Sequence, residues 1–241
     1  MDPARQTKDY LLPHQLLLSI AEQMKLPLLQ IARQAELVNL SRDLKDISGI
    51  QALATNALQL LDAYSLSLQL KNNAGFELAP ETTSVASVLY DANRQLQALA
   101  RMYNVQLELN IGGRFEPVLA HRKGLESAII GLASAFIETL PAQVNGGDLK
   151  LQLATHRCRY GIVAGVYADM PGLRSEALNR GRKLYGRSRQ PMVDVSHTSG
   201  AGIFVADAIF KAMSLKLHAS RHRRLYGLGV VLKTSSQLSL V

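Results

Sequence analysis

Two glycines, Gly200 and Gly202, stand at the start of an apolar helical repeat in the stretch HTSGAGIFVADAIF, residues 197–210. Backbone N–H groups at a helix start attract anions, and a residue without a Cβ lets a phosphate approach the backbone closely. The pair therefore indicates an anion site at the beginning of a helix that we expect from about Gly202 to Met213. A tight turn needed only for the fold explains the same two glycines equally well.

The histidine, cysteine and serine residues supply no further catalytic or metal-binding pattern. His218 and His222 are four residues apart, but their segment is read as a strand running into a turn, so they do not share a helical face. His156 and Cys158 give only two candidate ligands, and no serine lies in a nucleophile-elbow context. We expect neither a metal ion nor hydrolase chemistry.

The composition is that of an ordinary folded protein with a basic surface. The 241 residues are 47% hydrophobic and carry 27 Lys and Arg against 19 Asp and Glu, a formal net charge of +8. Such a surface attracts phosphates, nucleic acid or an acidic protein without distinguishing them. The single cysteine excludes an intramolecular disulfide, and no apolar run approaches the ~18 residues of a membrane span. We expect a cytoplasmic protein with two domains.

The first domain, residues 1–72, is expected to be a helical hairpin. Apolar residues recur at helical spacing from Leu17 to Val38 and again from Ile47 to Leu68, and the short polar join between them favours an antiparallel pair. A second apolar stripe, which includes Leu53 and Leu58, is more than one partner helix can cover. The pattern predicts a homodimer through residues 10–70, in which two hairpins form a four-helix bundle.

The second domain, residues 73–241, begins within the linker KNNAGFELAPETT, after which the pattern changes. Helical periodicity, first around Val85 to Met102, alternates with strand periodicity, as in LKLQLA from Leu149 and YGIVAGVYA from Tyr160, in the order α-β-α-β-β-α-β-β. That order predicts an α+β fold in which helices cover one face of a mixed sheet.

The heptad hairpin with an internal proline, followed by a sandwich that ends in a Gly-x-Gly turn, resembles the transmitter region of a sensor histidine kinase. That family carries a His-Glu-Leu-Arg-Thr-Pro-Leu type box on its first hairpin helix, which falls here on EQMKLPL, residues 22–28. Pro27 then matches the proline hinge, and Glu22 stands in the place of the phosphoacceptor histidine. The resemblance implies that this chain lacks the imidazole nucleophile of phosphoryl transfer.

The same resemblance extends to the boxes of the ATPase domain. Gly131 and Ala135 fall where two asparagines of the family hold Mg²⁺, so neither offers an oxygen ligand. In YADMPGL, residues 167–173, Gly172 matches and Ala168 replaces the aspartate that accepts a hydrogen bond from adenine. Asp169 is one position away and points to the opposite side of an extended strand, unless a local bulge restores it. Gly200 and Gly202 correspond to the phosphate turn.

The resemblance implies a degenerate histidine-kinase-like protein of bacterial two-component signalling. It would act as a regulatory or scaffolding partner of a response regulator, a kinase or another signalling protein, without ATP, Mg²⁺ or another cofactor. Whether the chain is an enzyme stays open, and a pseudo-histidine kinase is favoured. The first alternative is an active ATP-binding kinase or phosphotransferase with displaced ligands, and the second is a basic nucleic-acid-binding regulator.

Overall fold

The computed structural model describes residues 28–33, 35–36, 38, 45–72, 79–143, 149–169 and 197–235. Residues 28–33 are helical and precede four longer helices: α1 (Lys45–Asn72), α2 (Val85–Met102), α3 (Arg122–Gln143) and α4 (His197–Ala212). The strands are β1 (Glu81–Thr83), β2 (Gln106–Ile111), β3 (Val118–Ala120), β4 (Lys150–Cys158), β5 (Gly161–Ala168), β6 (His218–His222) and β7 (Leu225–Leu232).

Five of the strands form a mixed sheet in the order β2-β4-β5-β7-β6. Strands β2 and β4 are parallel, and the other neighbouring pairs are antiparallel. The two short strands β1 and β3 pair with each other as a separate antiparallel ribbon. Strand β1 lies at the end of the segment that was predicted to be a linker. The sequence did not indicate this strand, because three residues are too few to show a periodicity.

The main core lies between one face of this sheet and the helices. Alternate strand residues such as Leu151, Leu153 and Val166 are fully buried, as expected for a sheet covered on that face. Helix α2 buries residues spaced three and four apart: Val85, Val88, Leu89, Ala92, Leu96 and Leu99. Helix α3 is apolar on most sides and is buried between its neighbours from Leu125 to Ile137.

Helix α1 packs on the helical layer of the sandwich within the same chain. Leu53 is fully buried, and Leu53 and Ala63 belong to the same apolar cluster as the core of the sandwich. Gln59 on α1 donates a hydrogen bond to Gln95 on α2, and Gln95 in turn donates one to Glu126 on α3. The stripe that includes Leu53 is therefore covered in part by the chain's own second domain, whereas Leu58 is 62% exposed.

The predicted hairpin and its dimer stay predictions, because most of the first helix lies outside the described residues. The predicted division at residues 72 and 73 also stays a prediction. Among the residues that the structure describes, no helix is both long enough and apolar enough to cross a membrane.

Candidate functional site

Helices α3 and α4 lie side by side and meet through two glycines. A Cβ placed on Gly131 of α3 would lie 4.0 Å from the backbone oxygen of Gly202 on α4. Gly202 is itself buried. The two helices therefore lie against each other at Gly131, which the resemblance aligns with a Mg²⁺ asparagine, and at Gly202, which it aligns with the phosphate turn.

Helix α4 begins earlier than the sequence indicated. It starts at His197, so that Gly200 and Gly202 lie within its first two turns and do not form a turn ahead of it. Only the first four N–H groups of an α-helix lack an intrahelical acceptor. With His197 as the first helical residue, the N–H groups of Gly200 and Gly202 both lie beyond these four. The helix continues through the glycines because Gly202, Val205, Ala206, Ile209 and Phe210 form one buried stripe.

The two positions aligned with the Mg²⁺ asparagines are buried and carry no oxygen. Ala135 is 1% exposed, and Gly131 has no side chain. Within the described part of the chain, no group of three or more His, Cys, Asp or Glu side chains is arranged to hold a metal ion. The residues present at this place therefore offer apolar helix packing in place of cation ligands.

The end of β5 separates Ala168 from Asp169. Ala168 is fully buried and pairs with Leu151 on β4 and with Tyr226 on β7. Asp169 follows the last residue of the strand and is exposed. Glu22, Pro27 and Gly172 lie outside the described residues.

A cluster that the sequence did not indicate lies on the other face of the sheet. We call it the outer-face cluster: His156 on β4, Tyr167 on β5, and Ser220 and His222 on β6. The ring centroid of Tyr167 is 6.3 Å from that of His156 and 5.4 Å from that of His222, and its hydroxyl is 3.3 Å from Ser220 Oγ. Burial raises the pKa of Tyr167, partly offset by the Ser220 hydrogen bond.

Glycines on β5 and β7 lie directly against the side chain of Tyr167 in this cluster. A Cβ on Gly165 would lie 2.9 Å from the Tyr167 hydroxyl, and a Cβ on Gly227 would collide with the backbone oxygen of Val166. A side chain at either position would have to displace the backbone of the neighbouring strand as well as the side chain of Tyr167. A glycine inside a strand often marks such a close approach, which is the one signal in the sequence that could have revealed the cluster.

A partly buried carboxyl, that of Glu138 on α3, was also not predicted from the sequence. Burial raises the pKa of Glu138 on α3 to about 7. The carboxyl acts on Tyr103 at the end of α2, whose pKa is raised mainly by burial and further by Glu138. Gln30 Nε2, from the helical segment 28–33, donates a hydrogen bond of 2.9 Å to the Tyr103 hydroxyl. This contact joins the N-terminal segment to the sandwich.

No family model matches the sequence, and no curated protein matches it. Solved structures of other proteins do match its fold. Acinetobacter baumannii histidine kinase AdeS aligns over 87% of this chain and 96% of its own, with 14% identity and a TM-score of 0.50. Full-length ShkA, in complex with AMPPNP, aligns over 89% of this chain and 46% of its own, with 13% identity and a TM-score of 0.52.

At these identities the likeness shows the fold alone. The fold of this chain is similar to that of these histidine kinases. The expectation of a mixed α/β sandwich that resembles theirs is confirmed.

Proposed function

We propose that this chain is a histidine-kinase-like signalling protein that has exchanged nucleotide chemistry for a regulatory or scaffolding role. The observation that carries the proposal is the contact between α3 and α4, where position 131 faces the backbone of Gly202. The resemblance to the histidine-kinase ATPase domain puts Mg²⁺ and the phosphates at these two positions.

Two features of this place disfavour the binding of a triphosphate bridged by Mg²⁺. A Cβ at position 131 would already be in ordinary van der Waals contact with the backbone of Gly202, so an asparagine there would have to extend its side chain past α4. Mg²⁺ requires about six oxygen ligands in near-octahedral geometry. Gly131 and the buried Ala135 supply none of them.

The adenine end supports the same proposal. Ala168 cannot accept a hydrogen bond through its side chain, and the exposed Asp169 carboxylate stands one residue further along the chain. A charge-assisted hydrogen bond is worth ~1.5–3 kcal/mol. Its loss weakens a nucleotide complex by roughly tenfold to a hundredfold before the loss of Mg²⁺ is considered.

The regulatory role requires a surface for a partner, and the N-terminal helices provide exposed apolar residues. Leu28 and Leu29 are 55% and 59% exposed, and Leu58 and Leu61 on α1 are 62% and 39% exposed. We propose that these side chains contribute to a homodimer through residues 10–70, whose outer surface docks a response regulator or a kinase. Glu22, in the phosphoacceptor position, would leave that dimer without a nucleophile.

Autophosphorylation tests the proposal. The full chain is incubated with radiolabelled ATP and Mg²⁺ beside an active histidine kinase as a positive control, and both are separated under alkaline conditions that preserve phosphohistidine. We expect label on the control alone. Acid-labile label on this chain would establish the alternative, an active kinase with displaced ligands.

Light scattering tests the dimer separately. We expect a dimer at tens of micromolar and a monomer for Leu58→Glu, because the substitution places a charge in the apolar contact. Leu119→Glu is the matched control, since Leu119 is 44% exposed but lies on β3. A monomeric wild-type chain, or equal behaviour of the two variants, would contradict this part of the proposal.

A further inference from the structure

The outer-face cluster brings together residues that lie far apart in the sheet. Strand order places His156 on β4 and His222 on the edge strand β6, with β5 and β7 between them. His156 pairs with Val163, toward one end of β5, and His222 pairs with Leu225, beyond the other end. The two histidines thus stand at opposite corners. A twisted sheet is concave along one diagonal, and the small residues Gly165 and Gly227 let these corners approach each other over Tyr167.

The two imidazoles meet in a geometry that admits one shared proton. Their Nδ1 atoms are 3.3 Å apart, and their ring centroids are 5.3 Å apart. While both rings are neutral, one Nδ1–H can donate to the other Nδ1. When both rings are charged, each Nδ1 carries a hydrogen, so the hydrogen bond is lost and two like charges face each other. His222 is 6% exposed, so water screens this repulsion poorly.

The surroundings favour the neutral pair. Burial lowers the pKa of His156 below its usual value of 6.5, and His218 on β6 lowers it further. Burial likewise lowers the pKa of His222, with added contributions from His156 and from Arg223 in the β6–β7 turn. Tyr167, a further titratable neighbour, is neutral because burial raises its pKa. Among the residues that the structure describes, the charges that act on the pair are therefore basic.

We propose that His156 and His222 form a pH-sensitive latch, which holds the edge strand β6 over Tyr167 while both rings are neutral and releases it when they are protonated. This inference is independent of the proposed function. Strand β6 is suited to such movement because it pairs only with β7 in the five-stranded sheet. Release would expose the side chain of Tyr167 and the edge of β7.

The sign of the pH dependence follows from the open and closed states. In the open state each histidine regains a pKa near 6.5, whereas in the closed state the pKa is lower. Opening therefore takes up protons and becomes more favourable as the pH falls below about 6.5. Between pH 7.5 and 5.5 the opening equilibrium rises by up to about tenfold if one histidine is coupled to it, and by up to about a hundredfold if both are.

Hydrogen exchange followed by mass spectrometry tests the latch on the full chain. Peptides that cover β6 are compared with peptides that cover β5 at pH 7.5 and 5.5, after correction for the intrinsic exchange rates. We expect the protection of β6 to fall at least tenfold at the lower pH and that of β5 to change less than twofold. A local probe is required because Glu138 titrates in an overlapping range with the opposite effect on global stability.

Variants separate the latch from a general effect of acid. In His156→Gln the amide can still donate to His222 but cannot acquire a charge. His222 remains titratable, so the fall in protection at β6 should be at least threefold smaller than in the wild type. His222→Gln serves as the second variant if the first fails to fold. His121→Asn, which keeps an acceptor at the start of α3, should behave like the wild type. The latch is overturned if β6 protection in the wild type is unchanged at pH 5.5, or if His156→Gln loses protection as the wild type does.

Discussion

The packing of α1 on the sandwich leads to a stability prediction with an internal control. Leu53 is fully buried and Leu58, one and a half turns further along the same helix, is 62% exposed. Replacing a fully buried leucine by alanine removes its apolar contacts and leaves a cavity, at a cost of ~3 kcal/mol. Only about a third of the Leu58 side chain is buried, so Leu58→Ala should cost about 1 kcal/mol or less. The helix propensity changes equally in the two variants.

Urea denaturation followed by far-UV circular dichroism measures both costs. The predicted dimer adds a second distinction: the cost of Leu58→Ala should grow with protein concentration if Leu58 lies in a dimer contact, whereas the cost of Leu53→Ala should not. Equal costs below about 1 kcal/mol for the two variants would show that α1 does not pack on the sandwich. The hairpin would then be an independent unit.

Three further predictions concern single positions. Gly131→Ala should stabilise the chain by about 1 kcal/mol through its higher helix propensity, because the added Cβ fits. Gly131→Leu should destabilise the chain by ~1–3 kcal/mol, because the larger side chain forces α3 away from α4. Thermal unfolding of the two variants measures both effects. Glu138→Gln should stabilise the chain at pH 8 by on the order of 2 kcal/mol and have little effect at pH 4.5. The reason is that the carboxyl keeps its proton up to about pH 7 in the folded chain and loses it near pH 4.5 in the unfolded chain. Urea titrations at several pH values measure this difference. Ser84→Ala should cost about 1 kcal/mol in the same titrations, since the Ser84 hydroxyl caps α2 by accepting from the Ser87 N–H.

Much of the sandwich could be predicted because its elements are long and periodic. The helical pattern from about Val85 to Met102 matches α2 to the residue, and the apolar patterns near Leu149 and Tyr160 both correspond to strands of the main sheet. The ribbon of β1 and β3 was missed because three residues show no repeat. The start of α4 was placed too late because a glycine pair indicates a turn unless a partner helix, here α3 at Gly131, favours the helical backbone.

The outer-face cluster could not be predicted from spacing. His156 and His222 are 66 residues apart and three strands apart, so their contact depends on strand order and on sheet twist. The interpretation of His218 and His222 considered only a helical face, yet alternate residues of β6 share one face of a strand. Glu138 was missed for a related reason, since the burial of one residue on an apolar helix depends on what packs against it.

We propose that the nucleotide site does not bind ATP, and calorimetric titration of the full chain with ATP and Mg²⁺ measures this binding. The titration is run to millimolar nucleotide beside a sulfate titration at matched ionic strength. We expect no saturable heat beyond that of sulfate, because the Mg²⁺ ligands are replaced by helix packing at Gly131 and Ala135 and the adenine acceptor by Ala168. A Mg²⁺-dependent dissociation constant in the micromolar range, lost in Gly202→Val, would contradict the account and restore ATP as a ligand of this protein.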